Sequence, residues 1–266
     1  MAKSTPLQQL QEQADVPQTK MGKLFTAMPV VMTVIATLLA GLASGEMTKA
    51  QYQRAYAAQL QSKAGDQWAF FQAKRLRGEL QRNTLDVLAA TGAALPPGAA
   101  TALPEPAALV VAPEVAAALD AARADAPPET INPLLQGLAD APLADALKAA
   151  KDRTAAYDAV TAPLGKTAAA TALGRLTFNA ARYDMEARLN ADIARLYELQ
   201  VRKTNLSAER HHLRSQRFFF GMLAAQAAVI VSTFALAARQ RNLLWGFAAG
   251  AGLLAVVFAI YVYVYV

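Results

Sequence analysis

The chain has 266 residues, of which 55% are apolar and only 17% charged, with a net charge of +6 and no cysteine. An ordinary soluble domain carries about a quarter charged residues, and here the shortfall is concentrated in three runs without any charge: 24–45, 218–238 and 242–266. That pattern excludes a uniformly soluble protein, and the absence of cysteine excludes disulfides, thiolate metal sites and a cysteine nucleophile.

Residues 1–23 form a short tail of net charge +1. The first uncharged run, 24–45, is long enough to cross a hydrocarbon core about 30 Å thick, which takes roughly 20 apolar residues. Lys20 and Lys23 precede it, and Gly41 and Ala43 near its end resemble a signal-peptide cleavage region. Its 22 residues exceed the usual signal-peptide core, so an uncleaved anchor is expected. Pro29 lies near its start, where a helix tolerates proline.

Residues 46–92 are expected to form one long helix with Tyr52, Tyr56, Leu60, Trp68, Phe71, Leu76, Leu80 and Leu88 along its apolar side, at spacings near multiples of three and four. Residues 93–163 hold ten of the thirteen prolines and carry four basic against nine acidic groups. Prolines at 96, 97, 104, 106, 113, 127, 128, 133, 142 and 163 are expected to break helices there, because proline lacks the amide donor. Short helices fit at 114–124, 131–140 and 143–160. With few large apolar side chains, this region is expected to be a partly mobile acidic tip of short helices without a sizeable independent core.

A second long helix is expected over 164–217, with Leu173, Leu176, Ala180, Tyr183, Ala187, Ile193, Leu196 and Tyr197 on its apolar side. It leads into a second span, 218–238, then a basic turn, 239–241, and a third span, 242–266. Gln226, Ser232 and Thr233 in the second span are expected to bond to a neighbouring helix or their own backbone. Gly246 and Gly250 form a GxxxG in the third, a spacing that lets helices approach closely within or between chains. Tyr261, Tyr263 and Tyr265 suit a membrane interface. The expected architecture is therefore an all-α membrane protein: three transmembrane helices, a long antiparallel helical stalk continuing the first two, and an Ala/Pro-rich tip.

The basic groups flank the apolar runs, so the expected partner is anionic lipid rather than nucleic acid. Lys20, Lys23, Arg239 and Arg241 lie on one side of a three-span layout, which places 46–217 outside; Lys49, Arg54, Arg202, Lys203, Arg210, Arg214 and Arg217 count against that orientation. None of the three runs contains an ionisable residue, which ion pathways and proton relays normally need.

Few residues offer chemistry. Glu209 and His212 form Glu-x-x-His, half of a di-iron ligand pair in helical bundles, but the only other histidine is His211. No metal, cofactor or catalytic residue is expected, and a solvated face is the simpler account of Arg75, Arg77 and Arg82. The segment Asp66-Gln67-Trp68-Ala69-Phe70-Phe71-Gln72-Ala73-Lys74 is the densest polar and aromatic cluster. Trp68 and Phe71 fit a stalk seam, with Gln67, Gln72 and Lys74 facing water or the other arm; the alternative is a surface for an unknown protein partner.

This segment resembles the signature of a bacterial membrane family, Domain of Unknown Function 4337, as does the layout of one N-terminal span, two charged helices and a C-terminal pair of spans. The resemblance covers roughly 20–92 and 166–262. Phe70 and Phe71 stand where family members often have tyrosine, and 93–163 resembles an enlarged family linker. The resemblance implies a bacterial integral membrane protein and no particular activity. The function expected from the sequence is a non-enzymatic inner-membrane assembly module that forms homo-oligomers or binds a partner through its stalk; the runner-up is an accessory scaffold subunit of a transport or channel complex.

Overall fold

A computed structural model describes residues 20–92, 103–237 and 241–265, and among these the chain is helical, with no strand. The tail 1–19, the start of the Pro-rich region at 93–102 and most of the basic turn, at 238–240, lie outside the described residues. The helices are α1 (Lys20–Ala90), α2 (Pro113–Arg123), α3 (Pro128–Gln136), α4 (Asp140–Ala168), α5 (Ala172–Ala237) and α6 (Arg241–Tyr265). Local chemistry sets several of their ends. Gly92, at φ 79°, takes the left-handed conformation just past α1, a backbone that halts a helix and favours glycine. Pro113 and Pro128 open α2 and α3, where a missing amide donor costs nothing. Thr171 caps α5: its Oγ1 accepts the Gly174 amide at 3.0 Å.

The chain divides into two compact units, one of Met1–Gln51 with Ala208–Val266 and one of Tyr52–Ser207. In the first, the described parts of α1, α5 and α6 meet through small side chains. Ala36, Ala225 and Ala255 form one buried cluster, and Leu39, Ala43, Phe218 and Val262 another. Ser215 donates its hydroxyl to the Ala43 carbonyl at 2.7 Å, a contact that requires the two backbones to lie close. Ser232 and Thr233 both donate to the Val229 carbonyl, at 2.9 and 2.8 Å, so their hydroxyls bond to their own helix. Gly252 is buried against Met32. Gly246 and Gly250 are exposed, with open space where a Cβ would stand. Leu39, Phe218 and Val262 apart, many large side chains point outward, with Val30, Leu38, Phe234 and Leu254 between 63% and 68% exposed.

In the second unit the core differs from the expected tip. Val115, Leu119, Ile131, Leu135, Leu138, Leu143 and Leu147 are buried together with Leu60 and Ala64 of α1 and Ile193, Leu196 and Leu199 of α5. The described part of 93–163 thus packs into a core shared with α1 and α5, not a separate one, and it supplies about half of the unit's core where a projecting tip was expected. Three proline breaks also fail to appear. Pro133 lies inside α3, and α4 runs through both Pro142, in its first turn, and Pro163. The carbonyl that Pro163 leaves unpaired belongs to Ala159, which is exposed, so water can satisfy it and the cost of the interior proline falls. The second long helix consequently starts at Ala172, not 164.

The apolar stripe expected on α1 is partly displaced. Tyr52, Tyr56, Leu76 and Leu80 are 43% to 69% exposed. The buried face instead carries Ala36, Ala43, Ala50, Ala57 and Ala64, each at most 7% exposed, continued by half-buried Phe71 and buried Gly78. These positions are spaced seven apart. Ala180, Ala187, Ala194, Val201, Ala208 and Ser215 repeat the interval on α5, each at most 8% exposed. Small side chains at such an interval allow close helix contact. A Cβ on Gly78 would lie 3.6 Å from the Ala180 carbonyl oxygen.

Candidate functional site

The segment 66–74 lies in the middle of α1, where the helical period separates two faces. Gln67, Trp68, Phe71 and Lys74 are half-buried, while Ala69, Phe70, Gln72 and Ala73 are exposed. Trp68 and Phe71 pack edge to face, with ring centroids 5.3 Å apart. The Trp68 indole N–H donates to Glu198 Oε1 at 2.8 Å, and the Arg195 guanidinium lies over the indole 5.8 Å from its centroid, within reach of a cation–π attraction. One turn on, Lys74 Nζ lies 2.5 Å from Glu186 Oε2. Each of these partners belongs to α5. Along α1 the partner numbers fall as the residue numbers rise: Trp68 meets Glu198 and Lys74 meets Glu186.

Glu186 is the centre of the site. Its side chain is only 2% exposed, and its other oxygen accepts Arg182 Nε at 2.5 Å. A carboxylate removed from water needs such charged donors, because an unpaired buried charge is strongly destabilising. Tyr157 of α4 is buried nearby, and its hydroxyl has no hydrogen-bond partner among the described residues. Burial, reinforced by the negative charge of Glu186, pushes the Tyr157 phenol up to about 12. Asn190, one turn along α5 from Glu186, is 7% exposed, and its Nδ2 also lacks a partner among the described residues.

A second set of pairs ties the folded-back segment to α5. Arg123 and Arg153 reach the two oxygens of Asp192 at 2.9 and 3.1 Å. Lys151 donates to the Tyr197 hydroxyl at 2.8 Å, and Lys203 pairs with Asp140.

In the first unit, His211 Nδ1 lies 2.6 Å from Glu46 Oε2 and Lys49 Nζ 2.8 Å from Glu46 Oε1. Burial disfavours the Glu46 charge, but hydrogen bonds from Lys49 and His211 outweigh it and hold the carboxyl below the usual carboxylate range. His212 has Gln216 as its neighbour at 3.1 Å. Among the described residues, no three His, Asp or Glu side chains are grouped so as to hold a metal ion.

Residues 25–120 match the model of the family described as Domain of unknown function (DUF4337). The match supports the resemblance carried by 66–74 and extends from the apolar start of α1 to Asp120 in α2. The chain matches no curated protein and no solved structure. Within the matched segment, Trp68 and Lys74 are held by carboxylates of α5, which lies outside the matched residues. Glu186, Glu198 and Arg195 complete the site and were not singled out from the sequence. Their signal there is only their place on the same helix as the buried small-residue repeat. The arrangement can hold two helices in one register, with Trp68 and Lys74 both bonded to carboxylates of α5.

Proposed function

We propose that the chain is a multi-pass bacterial inner-membrane protein whose three apolar helices anchor an antiparallel helical stalk, and that this stalk serves assembly rather than catalysis. The observation that carries the reading is the first unit's outer surface: many large aliphatic and aromatic groups are exposed, while alanine, serine and glycine supply much of the helix contact alongside Leu39, Phe218 and Val262. Two helices, α1 and α5, are long and apolar enough to cross a membrane, yet only 22% and 33% of their most apolar stretches are buried inside the chain. The core helix of a soluble protein would bury that surface, whereas lipid accepts it and small residues supply the helix contacts. The seven-residue repeat supports a coiled-coil stalk, since a strict period of seven imposes a left-handed supercoil. Glu186 paired with Lys74 gives the stalk a polar register lock of the kind that coiled coils use.

Lys20, Lys23, Arg239 and Arg241 favour a cytoplasmic tail and turn, with the stalk periplasmic. Two measurements test the reading. The protein should stay with membranes through alkaline carbonate extraction. Because the chain has no cysteine of its own, Asp120→Cys should react with an impermeant thiol reagent in intact spheroplasts while Gln240→Cys should not. Release by carbonate would overturn the membrane reading, and the reverse labelling pattern would overturn the orientation.

A further inference from the structure

The face of α1 turned away from α5 carries an apolar stripe of its own. Ala69, Ala73, Leu76, Leu80, Asn83 and Val87 follow one another at intervals of four, three, four, three and four, and all six are exposed. Leu76, Leu80 and Val87 are 63%, 55% and 63% exposed. Intervals alternating between three and four mark a heptad seam, with Ala73, Leu80 and Val87 at one core position and Ala69, Leu76 and Asn83 at the other. The stripe runs about 27 Å along the helix at 1.5 Å per residue. Phe71, Lys74 and Gly78 lie on the opposite face, half-buried or buried, so α5 does not cover it.

We infer that this stripe is the interface with a second copy of the chain, forming a parallel, in-register pair of α1 helices; this rests on the assembly reading proposed above. Two features choose the occupant and its direction. Asn83 is the one polar group in the stripe. A parallel pair sets it against Asn83 of the other copy, where one amide donates and the other accepts. An antiparallel pair centred on Leu76 and Leu80 sets Asn83 against Ala73, with no partner for its amide.

The flanking charges agree. In the parallel pair, Gln72 neighbours Arg77 and Glu79 neighbours Thr84 across the seam. In the antiparallel pair, Arg77 faces Arg77 and Glu79 faces Glu79, and like charges across an interface are costly.

The test uses the full chain. Val87→Cys and Ala69→Cys, made separately, are oxidised in native membranes. Each should form a disulfide with its own counterpart, and a mixture of the two variants should give few mixed links. The double variant Leu76→Glu, Leu80→Glu should lower the protein mass in detergent from twice 28.2 kDa to 28.2 kDa while leaving helicity unchanged, because both side chains are exposed on the chain's own fold. Links that form only between the two different cysteine variants would overturn the parallel arrangement. An oligomer that survives the double glutamate change and gives no link at Val87→Cys would overturn this interface while leaving the assembly reading intact. A single-chain mass for the unaltered protein would overturn both.

Discussion

Lys74→Met isolates the central pair of the site. Lys74 is 25% exposed and Glu186 only 2%, so the substitution removes a partly solvated cation and leaves the carboxylate behind. Loss of one partner from a fully buried pair costs about 3–5 kcal/mol. Here Glu186 keeps Arg182 at 2.5 Å, so the loss is nearer that of one charge-assisted hydrogen bond, about 1.5–3 kcal/mol. Adding Glu186→Met removes the buried charge itself. Lys74 is then absent, and Arg182, at 34% exposure, can turn to water. The double variant should therefore be more stable than Lys74→Met alone, because replacing a buried pair by apolar groups is often neutral or stabilising. Thermal or denaturant unfolding of the four proteins in one detergent, followed by helical circular dichroism, closes the cycle. If the double variant loses the sum of the two single losses, the residues are not coupled and the pair does not hold α1 to α5.

Four further outcomes follow from the same geometry. Trp68→Ala should cost about 2–3 kcal/mol, below the 3–5 of a fully buried aromatic because the ring is half-exposed; Trp68→Phe should recover the packing but not the Glu198 bond, and unchanged melting of Trp68→Ala would show that the ring is not part of the seam. Ala64→Leu, at a position 1% exposed, should cost about 1–3 kcal/mol by overpacking, whereas Ala69→Leu on the outer face should not lower the stability of an isolated single chain. Glu46 has a lowered carboxyl pKa, so its contribution is present above the ordinary value of 4.5 and is lost as pH falls through the folded-state value; Glu46→Gln should flatten that acid limb of the stability profile. Tyr157 is raised from 10.0 to about 12, so its neutral phenol stabilises the fold below pH 10 and this is lost as pH rises through 12; Tyr157→Phe should remove the alkaline loss without destabilising at neutral pH, since its hydroxyl has no partner among the described residues.

The long helices were legible because their cues are local. Charge-free runs, the glycine after Ala90 and the prolines opening α2 and α3 each act within a turn or two. The short helices at 114–124 and 131–140 were placed within a few residues, and the third failed at its end because an exposed carbonyl lets Pro163 sit inside α4. The choice of face was harder. Leu76 and Leu80 satisfy helical spacing as well as Leu60 and Leu88 do, so spacing alone left two stripes on one helix. The alanines at 36, 43, 50, 57 and 64 would have chosen between them, since a seam of close helices selects small residues. In a chain rich in alanine, attention to large side chains hid that repeat.

The folded-back segment shows the same limit from the other side. Ile131, Leu135, Leu143 and Leu147 are too few to form a core among themselves, so no independent core was expected, but counting them alone did not show that the segment packs against the long helices. Ile193, Leu196 and Leu199 complete that core from α5, which explains why α5 is apolar on more faces than a two-helix stalk requires. A helix buried on several sides loses the clean amphipathic pattern, and the surplus on α5 was the available sign that a third layer covers it. The partner of Lys74 had no such sign. Asp184, Glu186, Asp192, Glu198 and Glu209 are the acidic residues of 164–217, and only the register of the two helices selects Glu186. Register in turn comes from the small-residue seam, so the polar site is a consequence of that seam: alanine brings the backbones close, the Glu186 side chain between them loses its water, and Lys74 and Arg182 take water's place as its hydrogen-bond donors.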